Sequence, residues 1–219
     1  MLRFGQAAFQ IASLTRLRKY LYHRYDYSFT PSQLCCLVGC LSRTAAVPGA
    51  VVEIGCAYGH TTVFLEKHLQ AMGDRRDYVC IDTFSGFTAE DAAFEEATRR
   101  KEAAGYDQRY ADATLRSFRR TLANNGVTRV KPVQADIKAY DMSAVPAISF
   151  CLIDVDLYLP VRAALAKVRP LMGPGGIVVV DDCRPHPLWD GALQAYEEFV
   201  SEHKIGREIV EGQLGLVSC

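Results

Sequence analysis

The 219-residue chain is 49% hydrophobic and 23% charged, and its 25 basic side chains are balanced by 25 acidic ones. Such a length and composition are typical of one globular domain with a sizeable core. The neutral net charge argues against a nucleic-acid partner. No apolar run reaches the roughly 20 residues of a membrane-spanning helix, which argues against a membrane protein.

The N-terminal stretch is basic, with no acidic residue before Asp26. It lacks a continuous apolar segment and a small-residue cleavage site, so we predict a helix of the folded domain here instead of a targeting or membrane-surface helix. The eight cysteines do not show the paired CxxC spacing of zinc sites. We therefore expect a reduced, cytoplasmic protein.

In chain order, helices are predicted over 2–25 and 31–45, within an N-terminal part covering 1–46. Five short apolar strands follow, alternating with helical patterns: AVVEI (50–54), DYVCI (77–81), VKPVQ (130–134), ISFCLI (148–153) and GIVVV (176–180). This alternation indicates an α/β fold with a mostly parallel, doubly wound sheet covered on both faces.

The C-terminal end differs from this alternation. A helix over 190–203 precedes the runs REIVE and LGLVS, which only Gly212 and Gln213 separate. Two residues cannot make a parallel crossover, so we predict a terminal antiparallel hairpin. With no linker or internal repeat, residues 1–219 are predicted to form a single domain.

The loop between the first strand and its helix has the sequence VVEIGCAYGHTT. Gly55 and Gly59 would let the backbone approach a ligand, and the following helix offers free N–H groups to a carboxylate. Glu53 suits a cationic group and would repel a pyrophosphate, while Ala57 replaces the second glycine of dinucleotide-binding loops. These features favour S-adenosylmethionine as the cofactor over NAD; the alternative is a tight turn without a ligand.

Two further carboxylates follow strands. Asp82 ends the second strand, 23 residues after Gly59, where an acidic side chain accepts ribose hydroxyls. Asp136 follows the third strand, where it would lie beside the adenine. The alternatives are that Asp82 caps the next turn and that Asp136 is a helix N-cap. The predicted cofactor-binding residues are Glu53, Gly55, Cys56, Ala57, Tyr58, Gly59, Thr61, Asp82, Thr83, Phe84, Ala135, Asp136, Ile137 and Asp154.

Four aspartates mark the carboxyl ends of the fourth and fifth strands: Asp154 and Asp156 in LIDVDLY, Asp181 and Asp182 in VVVDDC. Neighbouring strands are about 4.8 Å apart, so these carboxylates would repel one another unless a cation compensates them. Oxygen ligands alone favour Mg²⁺. The alternative is that the aspartates cap helices and pair with Arg162 or Arg184.

A lid insertion is predicted over 84–112. Its part 88–112 is rich in Glu, Arg and Ala with few large apolar residues, so we expect it to be mobile without ligand and ordered with it. Selectivity for the acceptor should reside here. His186 and Trp189, after the acidic pair, are candidates to face the acceptor or to form a surface loop.

Several segments resemble the macrocin O-methyltransferase family of sugar-modifying enzymes. The resemblance rests on VPGAVVEIGCAYGHTT, IDTFSGF, LIDVDLYLPVRAAL, PLMGPGGIVVVDDC and GALQAYEEF, which span most of 47–200. It implies a class I methyltransferase fold, S-adenosylmethionine and Mg²⁺ as cofactors, and methylation of a sugar hydroxyl. By this similarity the metal ligands are Asp154, Asp181 and Asp182, and Asp156 is the general base.

The implied acceptor is a hydroxyl of a small molecule, most directly a sugar of a natural product. One alternative is a metal-dependent methyltransferase acting on a flat, catechol-type diol. The other is a non-catalytic binding subunit on the same fold. A homodimer is the expected assembly.

Overall fold

The computed structural model describes residues 11, 27–101, 106, 109–145 and 147–219. The helix predicted over 2–25 lies outside these residues except for Ile11. Among the described residues, no helix is long and apolar enough to cross a membrane.

The centre of the fold is a seven-stranded sheet with the order β3-β2-β1-β4-β5-β7-β6. Strands β1 to β5 run parallel, and β7 pairs antiparallel with both β5 and β6. The predicted doubly wound sheet with a terminal hairpin is therefore confirmed. The strands are β1 (Ala50–Ile54), β2 (Tyr78–Asp82), β3 (Lys131–Gln134), β4 (Ile148–Ile153), β5 (Met172–Val180), β6 (Glu208–Val210) and β7 (Leu214–Ser218).

Helices cover both faces of the sheet, as alternating apolar side chains require. Along β5, Val178 and Val180 belong to one buried cluster, while Ile177 and Val179 belong to the other. Burial on both faces is the usual condition of parallel strands. The helices are α1 (Pro31–Arg43), α2 (His60–Ala71), α3 (Ala89–Ala97), α4 (Leu115–Asn124), α5 (Tyr158–Val168) and α6 (Gly191–Glu202).

Strand β5 begins four residues earlier than predicted, at Met172. Gly173, Gly175 and Gly176 are therefore part of β5, an inner strand of the sheet. Gly175 N–H donates to the Cys219 carbonyl at 2.7 Å, and Cys219 N–H donates to Gly176 at 3.0 Å. Backbone pairing with the C-terminus extends the strand where composition alone indicates a turn.

The strand ends are in register at one edge of the sheet. Ile54 of β1 is level with Ile81 of β2 and Ile153 of β4, and Ile153 is level with Val180 of β5. The residues that follow these positions therefore emerge side by side. The carboxyl edge of such a sheet is where ligands bind in open α/β folds.

Candidate active site

A cavity of about 440 Å³ lies at this carboxyl edge. Its size is within the usual range for small-molecule and cofactor sites. It brings together most of the predicted residues, namely Glu53, Gly55, Cys56, Ala57, Tyr58, Thr61, Asp82, Thr83, Ala135, Asp136, Ile137, Asp154 and Asp156.

The two loop glycines are required by contacts within the protein. Gly55 has φ +84°, and a Cβ there would lie 1.8 Å from the Asp154 carbonyl oxygen. Gly59 has φ +81°, and its Cβ would lie 2.8 Å from the Phe118 ring. We expected both glycines to make room for a ligand; Gly59 is instead outside the cavity lining and allows Phe118 to pack against the loop.

Asp82 organises the glycine loop. Its Oδ2 accepts hydrogen bonds from the backbone N–H of Cys56 at 2.7 Å and of Ala57 at 2.9 Å. Its Oδ1 accepts the N–H of Phe84 at 2.6 Å. A carboxylate has about four acceptor positions, so Asp82 keeps the capacity to accept further hydroxyls from the cavity.

Glu53 is 1% exposed and is held by hydroxyl donors. Its Oε2 accepts from Thr62 Oγ1 and from the Tyr78 hydroxyl, both at 2.7 Å. Burial raises the pKa of this carboxyl to about 7, against the lowering effect of the two hydroxyls. Because this pKa is close to neutral, a positive charge bound in the cavity would favour the ionised form of Glu53.

Asp136 and Phe84 differ in their position relative to the cavity. Asp136 lines the cavity and also stabilises a turn, since its Oδ1 accepts the N–H of Lys138 at 2.9 Å. Asp136 thus lies where a cofactor could contact it, and it stabilises a turn, not the start of a helix. Phe84 is buried against Phe118, with ring centroids 5.1 Å apart, and does not line the cavity.

The four aspartates meet at the ends of β4 and β5. Asp154 N–H donates to the Ile54 carbonyl at 2.8 Å, so Asp154 continues the pairing of β4 with β1. Asp156 and Asp182 both have φ +56°. Left-handed backbone at non-glycine residues is uncommon and concentrates at functional sites. Asp154 and Asp156 line the cavity, whereas Asp181 and Asp182 do not.

Burial and mutual repulsion act on these carboxyls together. Burial first, and neighbouring carboxylates second, raise the pKa of Asp154, and they raise that of Asp181 to about 7. The pKa of Asp156 is raised by burial and by its contact with Asp182. Partial compensation comes from Gln213, whose amide donates to Asp181 Oδ1 at 2.7 Å. Negative charge in this cluster is thus incompletely neutralised by the protein.

The donor chemistry of the cluster fits a hard divalent cation, because every candidate ligand is a carboxylate oxygen. Within the part of the chain that the structure describes, no group of three or more His, Cys, Asp or Glu residues is arranged as a metal centre. The predicted alternative partner Arg184 is near, with its Nε 3.7 Å from Asp182 Oδ1. The cluster has the chemistry of a cation site without a preassembled ligand triad.

A family model described as a methyltransferase domain matches residues 52–183. The chain belongs to this methyltransferase family. S-adenosylmethionine is accordingly the cofactor supported for the cavity. The matched segment begins in β1 and ends after Asp182, so it includes the glycine loop and the acidic cluster. No curated protein matches the chain in sequence.

Solved structures share the fold of this methyltransferase at low identity. The O-methyltransferase NovP is 22% identical, with a TM-score of 0.73 over 85% of this chain and 78% of NovP. The calicheamicin methyltransferase CalS11 is 18% identical, with a TM-score of 0.68 over 95% of this chain and 85% of CalS11. SMU.1697c from Streptococcus mutans, solved with SAH, is 12% identical, with a TM-score of 0.52 over 87% of this chain and 97% of SMU.1697c.

Described residues of the segment predicted as a lid contact the residues that follow the acidic cluster. Tyr106 is 1% exposed, and its hydroxyl donates to the Leu188 carbonyl at 2.8 Å. Its ring meets Trp189 edge to face at 4.8 Å, and Arg109 lies 4.4 Å from the centre of the Trp189 ring. Phe87 and Tyr106 of this segment thus both contact Trp189, whereas Phe84 packs on Phe118 and Phe94 stacks on Tyr158.

Tyr110 brings the lid into the cavity beside the aspartates. It lines the cavity, and burial together with the charges of Asp156 and Asp154 raises the pKa of its hydroxyl. Tyr110 therefore stays a neutral O–H donor at neutral pH.

His186, a candidate to face the acceptor or to form a surface loop, stabilises a turn, because its Nδ1 accepts the N–H of Leu188 and of Trp189.

Proposed function

We propose that this methyltransferase transfers the methyl group of S-adenosylmethionine to a hydroxyl oxygen of a small molecule, most directly a sugar of a natural product. The observation that carries the proposal is the position of Asp154 and Asp156, which line the cofactor cavity at the strand ends where Asp181 and Asp182 also lie. The acceptor hydroxyl and the methyl donor would then meet at one edge of the sheet.

The fold neighbours support this reaction class. NovP is named as an O-methyltransferase, and CalS11 as a TDP-rhamnose 3'-O-methyltransferase. The macrocin O-methyltransferase family that the sequence resembles contains sugar-modifying enzymes of the same kind. The sugar acceptor is proposed from these two similarities, and the acidic cluster makes it chemically reasonable.

The donor would be held by the glycine loop and the two carboxylates that follow β1 and β2. Glu53 would face the cationic methionine end of the cofactor. That positive charge would favour the ionised form of the Glu53 carboxyl. Asp82 would accept ribose hydroxyls with the acceptor positions that the loop N–H groups leave free. Asp136 and Ile137 would border the adenine.

Asp154, Asp181 and Asp182 would hold a divalent cation, with Mg²⁺ favoured by the all-oxygen donor set. When bound, this cation would lower the pKa of an acceptor hydroxyl. Burial and mutual repulsion raise the pKa values of Asp154 and Asp181. A bound cation would offset this repulsion and favour the ionised carboxylates.

Asp156 is proposed as the general base. Its raised pKa makes it a better proton acceptor than an ordinary carboxylate, since a base works best when its pKa approaches the working pH. In the transfer, the acceptor oxygen forms a bond to the methyl carbon as the carbon–sulfur bond breaks. The hydroxyl proton passes to Asp156, and the products are the methyl ether and S-adenosylhomocysteine.

A flat aromatic diol is the second candidate acceptor. The aromatic lid residues favour it, because Phe87 and Tyr110 line the cavity and their rings meet edge to face at 5.9 Å. Such faces could stack on a catechol. The acidic cluster would serve either acceptor in the same way.

One experiment separates these possibilities. The protein is incubated with S-adenosylmethionine carrying a labelled methyl group, with Mg²⁺ or with EDTA, and with a panel of deoxysugar nucleotides, glycosides and catechols. Labelled methyl ethers on sugar hydroxyls, formed only with Mg²⁺, are expected. Transfer confined to catechols would move the proposal to the second acceptor. Binding of S-adenosylhomocysteine without transfer to any panel member would favour the non-catalytic alternative.

A further inference from the structure

The lid helix α3 carries a buried carboxylate that reaches the start of helix α5. Glu95 is 1% exposed, and its Oε1 accepts the backbone N–H of Tyr158 at 2.8 Å. Helix α5 has no side-chain cap of its own, because its N-cap residue is Leu157. The first N–H groups of a helix need acceptors. A residue 63 positions earlier in the chain therefore supplies the cap that the local sequence omits.

The capped helix begins directly after the proposed general base. Asp156 lies two residues before Tyr158 and has a left-handed backbone, with φ +56°. Its carbonyl accepts the N–H of Ala192 at 3.1 Å, in the first turn of α6. The short turn carrying Asp156 is thus fixed on one side by α6 and on the other by the lid.

Space between these elements is limited. A Cβ at Gly191 would lie 2.5 Å from Tyr158 N and 2.9 Å from Glu95 Oε1. Glycine at the start of α6 is therefore what allows the Glu95 carboxylate to reach its donor. A larger residue at position 191 would block the hydrogen bond between Glu95 and Tyr158.

Arg99, one turn further along the lid, compensates the charge of Glu95. Its Nε lies 3.1 Å from Glu95 Oε2, although among the described residues neither atom has an aligned hydrogen-bond partner. The same guanidinium pairs with Asp190, the residue before α6. Glu95 and Arg99 thus connect the lid to the starts of both helices that flank Asp156.

We propose that Glu95 is a positioning residue, which couples the docked position of the lid to the geometry of the Asp156 turn. Helix α3 in its docked position then also holds the turn that carries the proton acceptor. The catalytic consequence rests on the proposed role of Asp156, whereas the coupling itself does not.

Two substitutions separate the hydrogen bond of Glu95 from its charge. Glu95→Gln keeps a carbonyl oxygen at the reach of Oε1 and loses the charge. Glu95→Asp keeps the charge beside Arg99 and shortens the side chain, so that it no longer reaches Tyr158. Glu96→Gln, at the exposed neighbouring position, is the control.

Hydrogen exchange of backbone amides over 156–161 is measured for each variant, with and without S-adenosylhomocysteine. We expect Glu95→Asp to speed this exchange about fivefold or more, because the first N–H of α5 loses its acceptor, and to weaken the protection that the ligand gives. Glu95→Gln and Glu96→Gln should stay within about threefold of the native protein. Slower exchange in Glu95→Asp than in Glu95→Gln, or equal rates in all four proteins, would overturn the inference.

This measurement needs neither acceptor nor metal, so it remains decisive if the proposed reaction proves wrong. Where an acceptor has been found, kcat should fall in Glu95→Asp and recover in Glu95→Gln, with little change in KM for the acceptor. If exchange changes as expected but Glu95→Asp leaves kcat unchanged, the coupling is supported and the proposed catalytic role of Asp156 is contradicted.

Discussion

The carboxylate of Asp82 holds the backbone N–H of Cys56 at 2.7 Å, although 26 residues separate them in the chain. The end of β2 therefore shapes the loop that follows β1. A residue expected to contact the ribose or to cap the next turn does cap it, through the N–H of Phe84, and also holds the loop on which the methionine part would lie.

Replacing Asp82 by Ala should weaken S-adenosylhomocysteine binding about tenfold or more, because both the loop N–H groups and the ribose lose a charged acceptor. Calorimetry measures the affinity, and hydrogen exchange should show faster exchange at Cys56 and Ala57. Asp77→Ala, which removes an exposed partner of Lys131, is the control and should bind normally. Unchanged affinity in Asp82→Ala would contradict the role of this carboxylate.

Gly59 and Gly73 allow the cost of packing to be separated from the cost of backbone strain. Both have left-handed φ, at +81° and +69°, but a Cβ at Gly59 meets Phe118 at 2.8 Å and one at Gly73 meets nothing within 4 Å. Gly73→Ala should lower the free energy of unfolding by about 1–2 kcal/mol, the cost of the left-handed backbone. Gly59→Ala should cost about 1–3 kcal/mol more, from overpacking. Equal losses in urea unfolding would show that Phe118 adjusts freely.

Glu53 should make the stability of the protein depend on pH. Its pKa in the folded protein is about 7, above the ordinary value of 4.5, because the carboxyl is buried. The folded protein therefore binds this proton more tightly than the unfolded chain, and the stabilisation present below about pH 4.5 is lost as pH rises through 7. The loss amounts to at most about 3 kcal/mol at 1.36 kcal/mol per unit.

Glu53→Gln removes this titration but keeps an oxygen for Thr62 and Tyr78. Urea unfolding of both proteins at pH 5 and pH 8 gives the test, since other groups such as Asp181 titrate equally in each. The variant should gain stability relative to the native protein on going to pH 8. A constant difference between the two proteins would show that Glu53 is ionised throughout this range.

Most of the parallel strands were predictable because they are short apolar runs that a glycine or an aspartate follows. AVVEI and ISFCLI match the observed β1 and β4 at both ends. Strand β5 was longer than predicted because Met172 pairs with Ile148 of β4 and Gly175 and Gly176 bond to Cys219, contacts that no local pattern reveals. Local periodicity thus determines where a strand exists, and pairing determines how far it extends.

The strand-end carboxylates were predictable for the same reason, since parallel strands bring their carboxyl ends together. Their supporting residues were not. Gln213 comes from the terminal hairpin and Glu95 from the lid, and each reaches the site across a gap of more than 30 residues. The contacts of Tyr106 with Leu188 and of Arg109 with Trp189 were likewise not predictable from the polar composition of the segment, whose expected ordering by ligand stays a prediction.

The last prediction concerns the metal. If Asp154, Asp181 and Asp182 hold Mg²⁺, chelation should abolish methyl transfer while calorimetry shows S-adenosylhomocysteine binding largely intact, because that site depends on Glu53 and Asp82. Mg²⁺ should restore turnover, and Ca²⁺, which is larger and a weaker Lewis acid, should restore less. Full activity in excess EDTA with a genuine acceptor would end the metal mechanism.

Two substitutions in the cluster should then behave differently. Asp181→Asn should raise the Mg²⁺ concentration needed for half-maximal activity by about tenfold or more, since a charged ligand is lost and the hydrogen bond with Gln213 is weakened. Asp156→Asn should leave that concentration nearly unchanged and lower turnover by roughly 10²–10⁴, the usual contribution of a general base. Asp77→Asn, at the exposed pair with Lys131, is the control for both. If the aspartates only cap turns, the same variants should lose stability in urea unfolding and show no dependence on metal, because a cap contributes to folding and not to the acidity of the acceptor.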